Sequence, residues 1–354
     1  MDPLSPKPPE ESDGGHRRRP RYKGKNPRRF EDKYKEHDPL RYPELIERVR
    51  GRGATPAGQH IPILAEEILA VLDPKPGERG VDATLGYGGH AARFLARLSP
   101  GGQLLALDCD SIELPKTEAR LRHAGHGESE FLVRRTNFAS LARTLGEVGW
   151  HDGVDFLLAD LGLSSMQIDD PARGFTFKQA GPLDMRMNRR RGLSAAQLLA
   201  HVSEPDLATL LERNADEIRA PLLARELCAR RGTLSSTVDL ARAVRDALAG
   251  TCTEPEADQS VRRVFQALRI EVNDEFGALE RLLEQVPDCL RSRGRVALLS
   301  FHSGEDRRIK QAFQRHLSQG RLGVVGEAVI RVSAMERRSN PRSASAKLRW
   351  AARS

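Results

Sequence analysis

"GERGVDATLGYGGHAARFLARL", residues 77–98, decides the fold. It reads as a short strand, a glycine turn and an amphipathic helix. In that order the three elements let a ligand approach the backbone at a helix N-terminus. The same rhythm extends outward. In "HIPILAEEILAVLDP" (60–74), Ile63, Leu64, Ile68, Leu69, Val71 and Leu72 fall close to helical spacing, and Pro74 follows the stop. "GGQLLALDCD" (101–110), "FLVRRTNFASL" (131–141) and "GVDFLLADLG" (153–162) read as further strands. Strand and helix in alternation imply an α/β fold, with a parallel sheet covered on both faces. The rhythm then breaks. Residues 194–250 and 262–291 read as helices, and "GRVALLSFHS" (294–303) returns as a strand. The expected organisation is an arm over 1–55, an α/β domain over 56–163 and 261–354, and a helical insertion over 164–260.

At 354 residues and 39% hydrophobic content the chain can bury a sizeable core. No apolar run approaches the roughly 20 residues that span a bilayer, and the start does not read as a signal peptide. The expectation is a cytoplasmic protein with no membrane partner. Cys109, Cys228, Cys252 and Cys289 are far apart without a CxxC pair, so neither a zinc site nor a disulfide framework is expected. A net charge of +8 and a pI near 9.6 point to an anionic partner. The charge is uneven: "RRRPRYKGKNPRR" (17–29) holds eight Lys/Arg and no acid. With its prolines and few apolar residues, the region reads as a disordered basic arm.

The glycine turn "DATLGYGGHA" (82–91) suggests a ligand. Gly86, Gly88 and Ala91 fit G-x-G-x-x-A, and Asp108 follows Gly86 by 22 residues, at the end of the next strand. A dinucleotide fits this pattern, its ribose held by the acid. S-adenosylmethionine, which also carries a ribose, fits equally. Asp82 separates the two. A carboxylate there repels a pyrophosphate but attracts a methionyl ammonium, by a few kcal/mol at about 4 Å and an effective dielectric near 20. The adenosyl donor is therefore favoured, unless Asp82 merely caps the turn. His90 either touches the ligand or lies in the first helical turn.

A second stretch lacks any period. "DLGLSSMQIDDPARGFTFKQAGPLDMRM" (160–187) follows the fourth strand and carries Asp160, Asp169, Asp170 and Asp184. Loops of this length inside compact domains are functional or disordered. The Phe and Met residues here argue against disorder.

Seven stretches together resemble one family: "HIPILAEEIL", "VDATLGYGGH", "LLALDCD", the 28-residue loop, "FQALRIEVNDE", "GRVALLSFHSGEDRRIK" and "NPRSASAKLR". In this order, over about residues 60–350, they resemble the small-subunit rRNA (cytosine-N4)-methyltransferases, known as RsmH or formerly MraW. The resemblance implies a Rossmann-like class I methyltransferase domain with an inserted helical domain for substrate recognition. It implies S-adenosyl-L-methionine as methyl donor. The acceptor it implies is the exocyclic amine of a decoding-region cytidine in 16S rRNA, within the small ribosomal subunit. The family's cofactor contacts map onto Gly88, Gly89, His90, Asp108, Phe138, Asp160 and Gln167. There are departures: "DCD" stands for the usual D-R-D, Tyr87 and Gly304 stand where glycine and leucine are usual, "DQSVRRV" replaces H-P-A-T-R, the tail between Lys310 and Asn340 is shorter, and the basic arm is extra.

A cytosine exocyclic amine is a poor nucleophile, because its lone pair is delocalised into the ring. An acceptor within roughly 2.6–3.2 Å of its N–H localises the lone pair and takes the proton. Asp184 and His302 are the candidates to contact the base or its amine. Ser164 and Ser165 are possible donors or turn caps. Phe175 and Phe177 stack on a base, at about 1–3 kcal/mol, or pack inside the protein. No metal is expected: His302, Glu305 and Asp306 read as a helix cap with salt bridges. Arg262, Arg263, Arg269, Arg307, Arg308, Lys310, Arg342 and Lys347 are candidates for phosphate contact. Two other readings stand beside this one: an NAD-type oxidoreductase, and a noncatalytic RNA-binding assembly factor that keeps the fold.

Overall fold

The computed structural model describes residues 62–354. The arm expected over 1–55 lies outside the described residues. Five strands form the centre of one sheet: β1 (Arg79–Asp82), β2 (Gln103–Asp108), β3 (Phe131–Arg135), β4 (Val154–Asp160) and β5 (Leu290–Ser300). Their order is β3-β2-β1-β4-β5, and each neighbouring pair is parallel. Helices α1 (Ala65–Leu72), α2 (Gly89–Leu98), α3 (Leu114–His123) and α4 (Leu141–Glu147) alternate with the first strands.

Strands buried on both faces read as continuous apolar runs rather than alternating ones, and the burial shows why. Leu105, Leu107, Leu157, Ala159, Val296 and Leu298 point into one apolar cluster. Leu104, Ala106, Phe156, Leu158, Ala297 and Leu299 point into the other. Neighbours in sequence thus serve opposite layers, and each buried leucine contributes roughly 1.5–3 kcal/mol. Gly80 marks the tightest approach. A Cβ there would lie 2.0 Å from Phe156 Cζ, so only glycine lets that ring pack across β1 and β4.

After β4 the chain enters the short helix α5 (Ser165–Asp169) and then a helical segment: α6 (Ala195–His201), α7 (Glu204–Ala215), α8 (Ala220–Ala229), α9 (Thr237–Leu248) and α10 (Glu254–Asn273). An apolar cluster running from Phe175 to Leu268 forms its own core. Residue 260 falls inside α10, which carries the chain from this segment back toward the sheet. The pattern read as one helix over 262–291 is broken at Asp274, which adopts a left-handed conformation (φ 49°) between α10 and α11 (Glu275–Cys289). After β5 follow α12 (Ser303–Ser318), β6 (Val324–Val325), β7 (Ile330–Arg331), α13 (Ala334–Ser339) and β8 (Lys347–Ala352).

That last stretch corrects the expectation of an all-parallel sheet. β8 runs antiparallel to β5, and β6 and β7 pair antiparallel with β8. β6 and β7 are two residues long, too short for any periodicity to show. Where strand order reverses, between β1 and β4, a crevice opens at the carboxyl ends of the strands, the usual ligand position in such sheets.

Candidate functional site

Three strand ends meet at that crevice. β1 leads into Ala83 and Thr84, β2 ends at Asp108, and β4 ends at Asp160. They line a cavity of about 450 Å³ together with Gly86, Tyr87, Gly89, His90 and Phe138, a size that suits a small ligand. The opposite wall comes from the helical segment and its return: Met187, Arg269, Asn273, Glu275 and Glu305.

The glycine turn is fixed by its neighbours. Asp108 Oδ2 accepts the Gly86 N–H at 2.8 Å, and Oδ1 accepts the Asp110 N–H at 2.8 Å. Each carboxylate oxygen keeps a further lone pair. Gly88 caps α2 at φ 69°, and a Cβ there would meet Leu121 Cδ1 at 2.9 Å. Its role is the turn itself, and it faces α3 rather than the cavity. Gly86 and Gly89 form the wall instead. Thr84 Oγ1 accepts the Asp160 N–H at 2.6 Å, tying β1 to β4 at the crevice.

Two of the cavity acids, Asp108 and Asp160, have no ion pair with Lys or Arg among the described residues, whereas Asp110, Glu113 and Glu275, which also line the cavity, are paired with Arg173, Lys116 and Arg269. The Asp160 side chain is 30% exposed, lines the cavity and, among the described residues, has no hydrogen-bond donor on its carboxylate. The His90 imidazole stands beside it, with Nε2 3.9 Å from Oδ2. Burial, then Asp82 and Glu305, push the Asp160 carboxyl up to about 8. Asp82 lies behind the wall rather than in it. Its Oδ1 accepts the Thr84 N–H at 3.1 Å, so it caps the turn, and burial pushes it up to about 7. Burial likewise raises Asp108. The same effect pushes His90 down to about 3, leaving a neutral imidazole whose buried Nε2 has no hydrogen-bond partner among the described residues.

The other sequence candidates lie elsewhere or are already engaged. Gln167 Oε1 closes a capping box with Ser164, and its Nε2 donates to Asp110 Oδ2 at 2.7 Å. Asp110 also takes Arg173 at 2.9 Å, a pair 1% and 3% exposed. Asp184 is forked by Arg186, at 2.8 and 3.0 Å, and is not part of the cavity wall. His302 caps α12, its Nδ1 accepting the Glu305 N–H at 3.4 Å; it stands behind Glu305 and not at the wall. Phe175 is buried and Phe177 packs edge-on to Phe265 at 5.0 Å, so both belong to the helical core. Asp306 is paired with Lys347 and Arg349, at 2.9 and 2.6 Å. Glu275, His302 and Glu305 bring potential metal ligand atoms within 4.8 Å of one another. As placed, however, Arg269 forks Glu275 at 2.8 Å and the Phe301 N–H takes Glu305 at 2.8 Å. Gly304 has a steric reason: a Cβ there would lie 2.6 Å from Phe276 Cζ.

The sequence reading missed Glu305 as a cavity acid and Asn273 as the hinge of the opposite wall. Asn273 accepts the Met187 N–H and donates to Met185 O, both at 2.8 Å, clamping the long loop to α10. Its place in "FQALRIEVNDE", at a helix end, was the one signal that pointed to it.

A doubly wound sheet with a switch-point cavity, walled by a glycine turn and by Asp108 and Asp160, which no Lys or Arg among the described residues neutralises, defines a Rossmann-like protein built for a cationic nucleoside ligand. Such is the class I methyltransferase arrangement. The sequence model of the MraW methylase family matches residues 57–354. The chain is 44% identical to "Ribosomal RNA small subunit methyltransferase H 1" of Lachnoclostridium phytofermentans, over 98% of this chain and 96% of that one. It is 45% identical to "Ribosomal RNA small subunit methyltransferase H 2" of Alkaliphilus metalliredigens, over 94% and 97%, and 42% identical to a relative from Halorhodospira halophila, over 84% and 95%. The chain belongs to the MraW methylase family. The first match takes in nearly all of the basic arm, so the arm is not an addition peculiar to this chain.

Proposed function

We propose that this enzyme transfers a methyl group from S-adenosyl-L-methionine to the exocyclic N4 amine of a decoding-region cytidine in 16S rRNA, acting on the small ribosomal subunit in the cytoplasm. The observation that carries the reading is the cavity's charge. Asp108, Asp160 and Glu305 line it together with the paired acids Asp110, Glu113 and Glu275, Asp82 stands behind it, and its arginines are turned to Glu275 and Asp169. A pyrophosphate is repelled there, whereas a cationic ligand is held. Bound in this cavity, S-adenosylmethionine supplies an electrophilic methyl group on a positively charged sulfur.

The residues of this chain then divide the work. Asp108 has spare lone pairs for ribose hydroxyls, and the Gly86–Gly89 turn lets a ligand approach the backbone. Phe138 offers an apolar wall. Gln167 lines the cavity and also holds Asp110 and the loop. Neutral His90 has one ring nitrogen to offer. Asp160 in its ionised form accepts the amine N–H, localises the nitrogen lone pair and then takes the proton. Positive charge in the cavity favours that form. Asp184 and His302 are positioning residues: one closes the long loop, the other starts α12 beside Glu305. We assign the helical segment over 164–260 to recognition of the RNA.

The test combines tritiated S-adenosylmethionine, the full chain and small subunits lacking decoding-site methylation, read by nucleoside mass spectrometry. N4-methylated cytidine that disappears with Asp160→Ala is expected. Tight donor binding without any label on RNA overturns the acceptor.

A further inference from the structure

Six of the eight basic residues singled out in the sequence for phosphate contact are paired with acids of this chain, and Arg262 and Lys310 are exposed. Arg269 is held by Glu275, Arg307 by Asp216, Arg308 by Glu280, Arg342 by Asp169 and Lys347 by Asp306. Arg263 reaches Glu217 at 4.0 Å. A different basic feature, outside that set, follows directly on the cavity-wall residue Met187: the turn "RMNRRRG" (186–192).

This turn is internally braced. Arg186 is forked by Asp184 and also donates to Gly192 O at 3.2 Å, closing the loop on itself. Asn188 Oδ1 accepts the Arg190 N–H at 3.1 Å, and Asn188 O accepts the Arg191 N–H at 3.2 Å. Arg189 is turned back onto Ala172 O and lies 3.8 Å from Asp184. Below, the Met187 N–H is held by Asn273 at 2.8 Å, and Met187 itself lines the cavity. The side-chain bracing falls on residues 184–189 and 192. Arg190 and Arg191 are exposed and, among the described residues, have no ion-pair partner, although acids are plentiful in this chain. Two unneutralised guanidinium groups are thus displayed on a rigid turn, a short step along the chain from Met187 in the cavity wall.

We infer that Arg190 and Arg191 form a phosphate clamp for the RNA strand whose nucleotide enters the cavity. The inference rests on the proposed RNA acceptor. Guanidinium groups match phosphate oxygens in a planar, bidentate manner. A braced turn keeps them oriented before the strand arrives, so little side-chain and loop ordering is left to oppose binding. The division of charge is then physical: an acid-walled cavity takes the cationic donor, and an arginine turn takes the polyanion. The clamp fixes register along the strand without reading its bases.

The experiment measures methyl transfer to undermethylated small subunits across a salt series at saturating S-adenosylmethionine. It compares the full chain with Arg190→Gln/Arg191→Gln, and with Arg97→Gln/Arg143→Gln, which removes the same charge from α2 and α4. For each phosphate that is no longer neutralised, the slope of log KM against log salt should become shallower by about 0.7, so by about 1.4 for the pair. KM should rise with kcat and donor affinity unchanged, and Arg190→Lys/Arg191→Lys should restore the slope. An unchanged slope in the turn variant, or an equal change in the α2/α4 variant, overturns the clamp. Failure of the native chain to methylate the subunits at all overturns the acceptor reading instead, so the two failures are distinct.

Discussion

Asp108 and Asp110 are two residues apart and have opposite fates. Asp110 is buried against Arg173 and Gln167, which hold its carboxyl below the usual range against the opposing effect of burial. Asp108 receives only backbone N–H groups, and burial raises it. The contrast extends across the molecule. Asp184, Asp306 and Asp110 are matched to arginine, lysine or amide groups and hold the loop and the last strand in place. Asp160 and Asp82 have no Lys or Arg partner among the described residues, and their carboxyls are pushed up to about 8 and about 7. Carboxylates that the fold has already neutralised brace it. Those without a cation among the described residues, Asp108, Asp160 and Asp82, gather at the strand ends, where Asp110, Glu113 and Glu275 share the cavity in paired form.

The strongest way to break this comparison is Asp160→Asn. If the unpaired acid serves the reaction, methyl transfer should fall by roughly 10²–10⁴-fold while thermal unfolding stays within a few degrees of the native chain. A variant that unfolds early and keeps its activity per folded molecule would place Asp160 with the bracing acids. Arg173→Leu tests the other side. Removing one member of a buried pair costs about 3–5 kcal/mol, which for a chain of this size corresponds to a Tm lower by roughly 5 °C; an unchanged melting curve would remove Asp110 from the bracing set.

A pH titration sharpens the division further. With its folded pKa raised to about 8, Asp160 is mostly protonated at neutral pH in the free protein. Its contribution to stability is therefore present below about 3.8 and lost as pH rises through 8. A cation prefers the ionised form. Donor affinity should thus climb by up to about tenfold per unit from pH 6 to 8 and then level off, with proton release seen by calorimetry in buffers of different ionisation enthalpy. The same series in Asp160→Asn should be nearly flat; a parallel climb in both proteins assigns the titration to another group. The smallest effect is expected from Asp184→Asn. Its ion pair with Arg186 is partly solvent-screened, so stability should drop by about 1 kcal/mol or less, seen in urea unfolding at pH 7. The Asp184 carboxyl lies below its usual range, so this contribution is present at neutral pH and lost as pH falls through that lowered value.

Much of this was legible in the chain. The runs "LLALD" and "VDFLLAD" are apolar enough to demand burial on both faces, which specifies a parallel sheet with covering helices. The glycine turn and the acid 22 residues after it marked the ligand edge, and the ordered set of seven motifs marked the family. Local chemistry fixed these features, because strand burial and turn geometry depend on near neighbours. The antiparallel edge was not legible. β6 and β7 are too short to carry a pattern, and their pairing with β8 is a long-range event.

Which acid does what was also beyond the sequence. Asp82 read either as a ligand contact or as a turn cap, and it caps its turn; Asp184 read as a candidate at the reacting amine, and it is forked by Arg186. Glu305, on a helix more than 140 residues after β4, turned out to face the same cavity as Asp160. A carboxylate's role depends on whether a cation lies within a few ångströms of it. Those distances exist only once the sheet has gathered its strand ends and α10 has brought the long loop over them.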